Sequence, residues 1–133
     1  MPKRAKSSKK DPRVRIAHVL ESIEAVDSYV ADISFEHFSQ DMKTQDAVCR
    51  RLEIIGEAVR ALDNLAPDLL KAYPDIPWIS VKGIREKLAH DYDTISLPIL
   101  WATAMEELPA LRDAMKKMLA DLGHRDGGKT RDA

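Results

Sequence analysis

The sequence predicts an all-α fold, a single up-and-down bundle of four to five helices, and three observations carry that reading. Apolar residues recur at three- and four-residue steps from Ile16 to Val30, from Val48 to Leu62 and from Leu97 to Leu119. That is the period of an amphipathic helix, not of a strand. Aromatics are 5% of the chain against 44% apolar residues, which favours aliphatic helix packing over a sandwich or barrel. Finally, 133 residues make one domain by length, large enough to bury a core without staples. The apolar faces are wide for one small bundle, so a helix-mediated homodimer is expected.

Residues 1–10, rich in Lys and Ser, read as a disordered basic arm. The single helical domain spans 11–122, and 123–133, with Gly127 and Gly128, reads as a disordered tail. Asp11 and Pro12 form an N-cap and first-turn pair that starts a helix ending near Ile33. A polar connection, Ser34 to Lys43, follows. Thr44 is then expected to cap a second helix running to about Leu65, with Val48, Leu52, Ile55, Val59 and Leu62 inward and Arg50, Arg51, Glu53, Glu57 and Arg60 on a face that meets solvent or a partner. Gly56 interrupts this helix at a cost of about 1 kcal/mol relative to Ala, which implies that another backbone passes close by. Pro67 opens a short helical turn over Asp68 to Ala72. Tyr73 to Trp78, with Pro74 and Pro77, must cross without helix. A third helix is expected from about Trp78 to Tyr92 or Asp93. Ser96 and Pro98 start a fourth, kinked at Pro109 and stopped by Gly123.

Charge and cysteine content narrow the class. Residues 16–122 hold 11 basic and 19 acidic groups, net −8, while Lys3, Arg4, Lys6, Lys9, Lys10, Arg13 and Arg15 make the start basic. An acidic body does not suit broad nucleic-acid binding, although the arm could add sequence-independent phosphate affinity with a steep salt dependence. Cys49 is alone, so no internal disulfide forms, and a reducing cytoplasm is the expected location. No apolar run approaches the ~20 residues of a membrane span. The basic N-terminus also lacks the apolar run of a secretory signal.

The chemistry concentrates between Gly83 and Tyr92. Histidine is the side-chain type that changes charge near neutral pH when unperturbed, so His90 is the candidate to accept and deliver protons. Arg85 presents a permanent planar cation suited to phosphate. Glu86 lies four residues before His90 and, on one helix, would share its face, where it could orient the imidazole. Arg85 would lie ~140° away on the same wheel. The two would therefore converge only if the helix ends or bends near His90, or if a second copy faces the first. Tyr92 adds a phenol. No metal-ligand cluster and no cofactor motif is present, so any cleavage would use the ribose 2′-hydroxyl of RNA as its own nucleophile. Arg-x4-His also occurs at Arg13 and His18, and a helix-end His beside a surface Arg–Glu pair fits the same spacing. Spacing alone therefore leaves a structural role open.

Asp46 to Ala58, with its Leu-Glu-Ile-Ile-Gly-Glu-Ala run, Pro74 to Trp78, Gly83 to Tyr92 and Ile99 to Trp101 with Pro109 together resemble the HepT-like branch of the HEPN superfamily, over about residues 12–119. The resemblance implies a small all-α homodimer with Arg and His motifs from two chains lining one cleft. It further implies a ribonuclease toxin with Arg85 and His90 catalytic, acting on RNA. A minimal nucleotidyltransferase antitoxin would silence it by adenylylating Tyr92. Two positions depart from the family pattern, Glu86 where Asn is common and Asp93 where Phe is frequent, and both bring negative charge to a site for RNA. A catalytically weak helical dimer that binds the nucleotidyltransferase is the competing reading.

Overall fold

The computed structural model describes the backbone of residues 10–91 and 94–132, and the side-chain surroundings of residues 10–88 and 96–123. The basic arm therefore lies outside the described residues except for Lys10, as do Tyr92 and Asp93.

Helix α1 (Pro12–Val30) starts as its sequence dictates. The Asp11 carboxylate accepts the Arg13 N–H at 3.0 Å and Pro12 fills the first helical position. The Arg13 guanidinium also folds back onto that carboxylate, at 2.9 to 3.2 Å, and holds the Asp11 carboxyl below the usual range. The first copy of Arg-x4-His thus has its cation bound to a helix cap. The helix stops at Val30, short of the expected Ile33. Asp32 takes a φ of 60°, a left-handed conformation that short polar side chains tolerate and that a helix cannot continue through.

The expected polar connection contains a further short helix, α2 (Phe35–Ser39), capped by Ser34. Phe38 is fully buried against Trp101, with ring centroids 5.0 Å apart, and Phe35 meets the same indole edge-on at 5.9 Å. Helix α3 (Met42–Leu65) begins one turn earlier than expected. Asp41, not Thr44, is its cap: the Asp41 carboxylate accepts the Thr44 N–H at 3.1 Å and the Thr44 hydroxyl at 2.6 Å. A carboxylate accepting two such bonds completes the first turn more fully than a hydroxyl one turn on. The predicted inward residues Val48, Leu52, Ile55, Val59 and Leu62 are all fully buried.

Helix α4 (Pro67–Lys71) and a non-helical crossing lead to α5 (Trp78–Lys82) and α6 (Ile84–Leu88). The third helix does not reach Tyr92 as expected. It breaks at Gly83, ends at Leu88, and passes into an antiparallel ribbon, β1 (Ala89–Asp91) with β2 (Thr94–Ile95). Ala89 lies opposite Ile95 and Asp91 opposite Thr94. The β-branched Thr94 and Ile95 favour this extended pairing over another helical turn.

Ser96 caps α7 (Leu97–Ala102), with Pro98 in its first turn. A π-helical turn (Thr103–Glu107) then leads into α8 (Leu108–Asp132), and the Leu108 N–H reaches back five residues to the Thr103 carbonyl. The expected disturbance at Pro109 takes this form. Proline has no N–H for the carbonyl of Met105 and its ring crowds that turn, which the wider π turn accommodates. Gly123 does not end the helix, which runs on to Asp132.

The long helices α1, α3 and α8 enclose the core, where Ile16, Val19, Ile23 and Val26 meet the α3 stripe and Leu108, Met115 and Met118. The all-α bundle is as expected, with the short β1–β2 ribbon as its exception. Among the described residues no helix is long and apolar enough to cross a membrane.

The close approach inferred from Gly56 is present. A Cβ there would lie 2.9 Å from the Ile84 methyl and 3.2 Å from the Val81 carbonyl oxygen. Gly56→Ala should gain up to about 1 kcal/mol of helix propensity and lose about 1–3 kcal/mol to overpacking. Urea unfolding should therefore show a lower midpoint. An unchanged or raised midpoint would mean that α5 and α6 do not press on α3 at this point.

Candidate functional site

Position rather than helix wheel decides what Arg85 can reach. Trp78 starts α5 by donating its indole N–H to the Tyr73 carbonyl at 2.9 Å, which pins the crossing. Val81, Ile84 and Leu88 are buried and turn α5 and α6 down onto the core. The small side of α3 at Gly56 lets them sit close. One turn further along α3, Arg60 donates to the Lys82 carbonyl at 2.7 Å, and Lys82 pairs with Asp63 at 2.7 Å. Gly56 and Arg60, four residues apart on one face, thus fix the turn from which α6 departs.

With Ile84 and Leu88 turned inward, Arg85 and Glu86 are left exposed. They border a cleft of about 180 Å³ between α3 and α6, whose other charged walls are Glu53, Glu57, Arg60 and Lys82. It continues into a wider opening lined by Ile79, Asn64 and Gly83. The Arg85 side chain is 75% exposed, and its Nε stands 3.8 Å from Glu53 Oε2. A contact that long and that exposed is worth at most a few tenths of a kcal/mol. Arg85 therefore remains available to an anion.

The expected helical relation between Glu86 and His90 does not hold, because α6 ends at Leu88 and His90 lies in β1. The ~140° separation of Arg85 and His90 is removed for the same reason. A helix that ends before His90 was one of the two conditions for these residues to act on one phosphate. The His90 side chain and the whole of Tyr92 lie outside what is described. The structure thus brings Arg85 and Glu86 to one cleft and leads the chain directly from it into the strand carrying His90.

Glu53, Glu57 and Arg60, on the α3 face expected to meet solvent or a partner, line this cleft. Arg60 and Glu53 reach across to the α5–α6 segment. The available signal was Gly56 within the charged face: a glycine that admits a neighbouring backbone also brings its flanking charges to that neighbour. Cys49 is not a competing nucleophile. Burial, reinforced by Asp46 and Glu53, pushes its thiol up to about 11, far from the thiolate form at neutral pH. Among the described residues no three His, Cys, Asp or Glu side chains converge as metal ligands would.

Removing the Arg60 anchor should loosen the turn without unfolding the bundle. Arg60→Ala should cost about 1 kcal/mol or less and speed amide exchange at Gly83 and Lys87, whose N–H groups bond across the turn to Ile79 and Gly83 carbonyls. Exchange at wild-type rates would show that Arg60 does not hold it.

Comparison with known proteins places this geometry. The family model described as ribonuclease HepT-like matches residues 19–118. A protein of Methanocaldococcus jannaschii with a provisional RNase name is 35% identical over 118 residues, covering 89% of this chain and 95% of its own. The probable ribonuclease HepT of Thermococcus cleftensis is 39% identical over 100 residues, 75% of this chain and 88% of its own. A provisionally named RNase of Caldanaerobacter subterraneus subsp. tengcongensis is 37% identical over 110 residues, 83% and 96% of the two chains. No solved structure gives a significant match. The match over 19–118 takes in α3, the cleft and the ribbon, and the chain belongs to the ribonuclease HepT-like family of the HEPN superfamily.

Proposed function

We propose that this protein is a metal-independent endoribonuclease, the toxin of a toxin–antitoxin pair, in which Arg85 and His90 act on one RNA phosphate. The observation that carries this reading is the exposed Arg85 on the cleft rim, three residues before a helix end that delivers His90 in the next element. Family membership and relatives named as ribonucleases support it.

The chemistry needs only groups of the chain and the substrate. His90 removes the proton of a ribose 2′-hydroxyl, whose oxygen attacks the adjacent phosphorus. As that O–P bond forms, the P–O5′ bond breaks, leaving a 2′,3′-cyclic phosphate on one fragment. The departing 5′-oxygen takes a proton from a second imidazole, which a homodimer supplies as the other copy of His90. Arg85 balances the charge that builds on the phosphoryl oxygens. Glu86, no longer one turn from His90 on a helix, acts as a charge on the cleft rim.

A nucleotidyltransferase antitoxin would silence the site by moving AMP from ATP to the Tyr92 oxygen, releasing pyrophosphate. Tyr92 follows His90 by two residues in the sequence, and an adenylyl group on it would add a bulky anion next to the residue proposed to act on RNA. One observation favours the second reading, a dimer that only binds such a transferase: Glu53, Glu57 and Glu86 line the same cleft as Arg85.

Purified protein in EDTA should cut RNA to products with cyclic phosphate ends. His90→Ala should lower the rate by at least ~10²-fold and Arg85→Ala by ~10²-fold or more. Cleavage that survives His90→Ala would rule the assignment out, and a tight transferase complex with no cleavage at any concentration would establish the second reading. Co-expression with an active transferase should add one adenylyl group per modified chain, and Tyr92→Phe should remove that mass. An unmodified wild-type chain beside an active transferase would contradict the silencing step.

A further inference from the structure

We infer that the ion pair between Lys87 and Glu107 is a positioning element of the candidate nuclease site, a latch that fixes the ribbon carrying His90 relative to Arg85. The inference rests on the ribonuclease reading for its catalytic consequence, but not for its structural one.

Lys87 lies inside the Arg85-to-His90 interval, yet it faces away from the cleft. Two residues along a helix are about 200° apart. Arg85 accordingly borders the α3 cleft, while Lys87 borders a separate cavity of about 220 Å³ behind α6, among Ile84, Leu108 and Leu111. There its Nζ meets Glu107 Oε2 at 2.8 Å. The pairing keeps this lysine from competing with Arg85 for a phosphate.

Glu107 is itself held in place. It closes the π-helical turn, and the hydroxyl of the buried Thr103 lies 3.2 Å from the same Oε2 and 2.8 Å from the Ile99 carbonyl. The inserted residue of a π turn rotates the succeeding helix by about 100° relative to an unbroken α-helix. That rotation sets the direction from which Glu107 meets α6. The π turn forced next to Pro109 thus has a use at the other end of the pair.

Topology gives the latch its leverage. Lys87 and Glu107 are 20 residues apart, and the segment between them contains β1, His90, Tyr92, β2 and α7. The start of α6 is already fixed by Arg60 and its buried face by Ile84 and Leu88. Lys87 is the last charged side chain before the ribbon, and its partner sits on the bundle that the ribbon returns to. Both side chains are about one-third exposed, at 32% and 37%, so the pair adds little to global stability. Its effect is on geometry, where a displacement of about 1 Å can cost ~10²-fold in rate.

The test uses the full chain and its charge-swapped form. Lys87→Met and Glu107→Gln should each lower kcat on an RNA oligonucleotide about tenfold, with KM changed less than twofold and the thermal midpoint nearly constant. Lys87→Arg should keep most of the activity, and the double variant Lys87→Glu with Glu107→Lys should recover most of what either single change loses. Amide exchange at Ala89 and Ile95 should quicken in the single variants and slow again in the swap. Single variants with wild-type kcat, a swap no better than the singles, or lost activity without faster exchange would each overturn the latch. If the wild type cuts no RNA the ribonuclease reading fails, and the exchange rates alone then decide whether the pair holds the ribbon.

Discussion

The close contact between α3 at Gly56 and the α5–α6 turn is the constraint on which the candidate site depends. Only hydrogen on that Cα lets the Val81 carbonyl and the Ile84 side chain come within reach of the helix backbone. Once they are seated, Ile84 and Leu88 must face the core, and Arg85 is left on the rim by the geometry of a five-residue helix. Arg60 adds a directed bond to the same turn, converting apolar contact into a fixed orientation. Apolar packing positions the segment, and polar contacts set its angle.

The electrostatics are balanced rather than cationic. Arg60 and Lys82 are engaged with a carbonyl and with Asp63, so Arg85 is the cation least committed to other groups in the cleft. Glu53, Glu57 and Glu86 lower the local potential, which weakens non-specific attraction of a polyanion and raises the share of binding that must come from a well-placed phosphate. In a homodimer two such rims and two ribbons would add to one another. A site assembled in that way gains its second imidazole and second guanidinium by symmetry.

Much of this was legible in the residues, for identifiable reasons. Helical period gave α1, α3 and α8 because their stripes are long and aliphatic. Gly56 announced a close neighbour because a glycine weakens an otherwise strong helix, a cost that tight packing against a second backbone offsets. What was not legible lay in short elements, where periodicity has too few residues to speak. The helix expected to reach Tyr92 stops at Leu88 because of tertiary pairing with Thr94 and Ile95, which no local pattern in Gly83 to Asp91 encodes. Asp41 took the capping role from Thr44 because a carboxylate three residues earlier could accept both of its donors. Pro109 signalled a disturbed helix, but not that the disturbance would be a π turn bringing Glu107 onto Lys87. Glu53 and Arg60 looked like surface charges since sequence spacing along one helix cannot show what crosses it.

The most direct test of whether Arg85 and His90 form one phosphate site is a titration with a 2′-O-methyl RNA oligonucleotide, which can bind but has no free 2′-hydroxyl to attack. Nuclear magnetic resonance would follow the Arg85 Nε–H and the His90 imidazole in the same samples. Both signals should move together and saturate at the same oligonucleotide concentration, and Arg85→Ala should remove the response at His90. Shifts confined to the basic residues before Asp11, with Arg85 and His90 unmoved, would contradict a shared site.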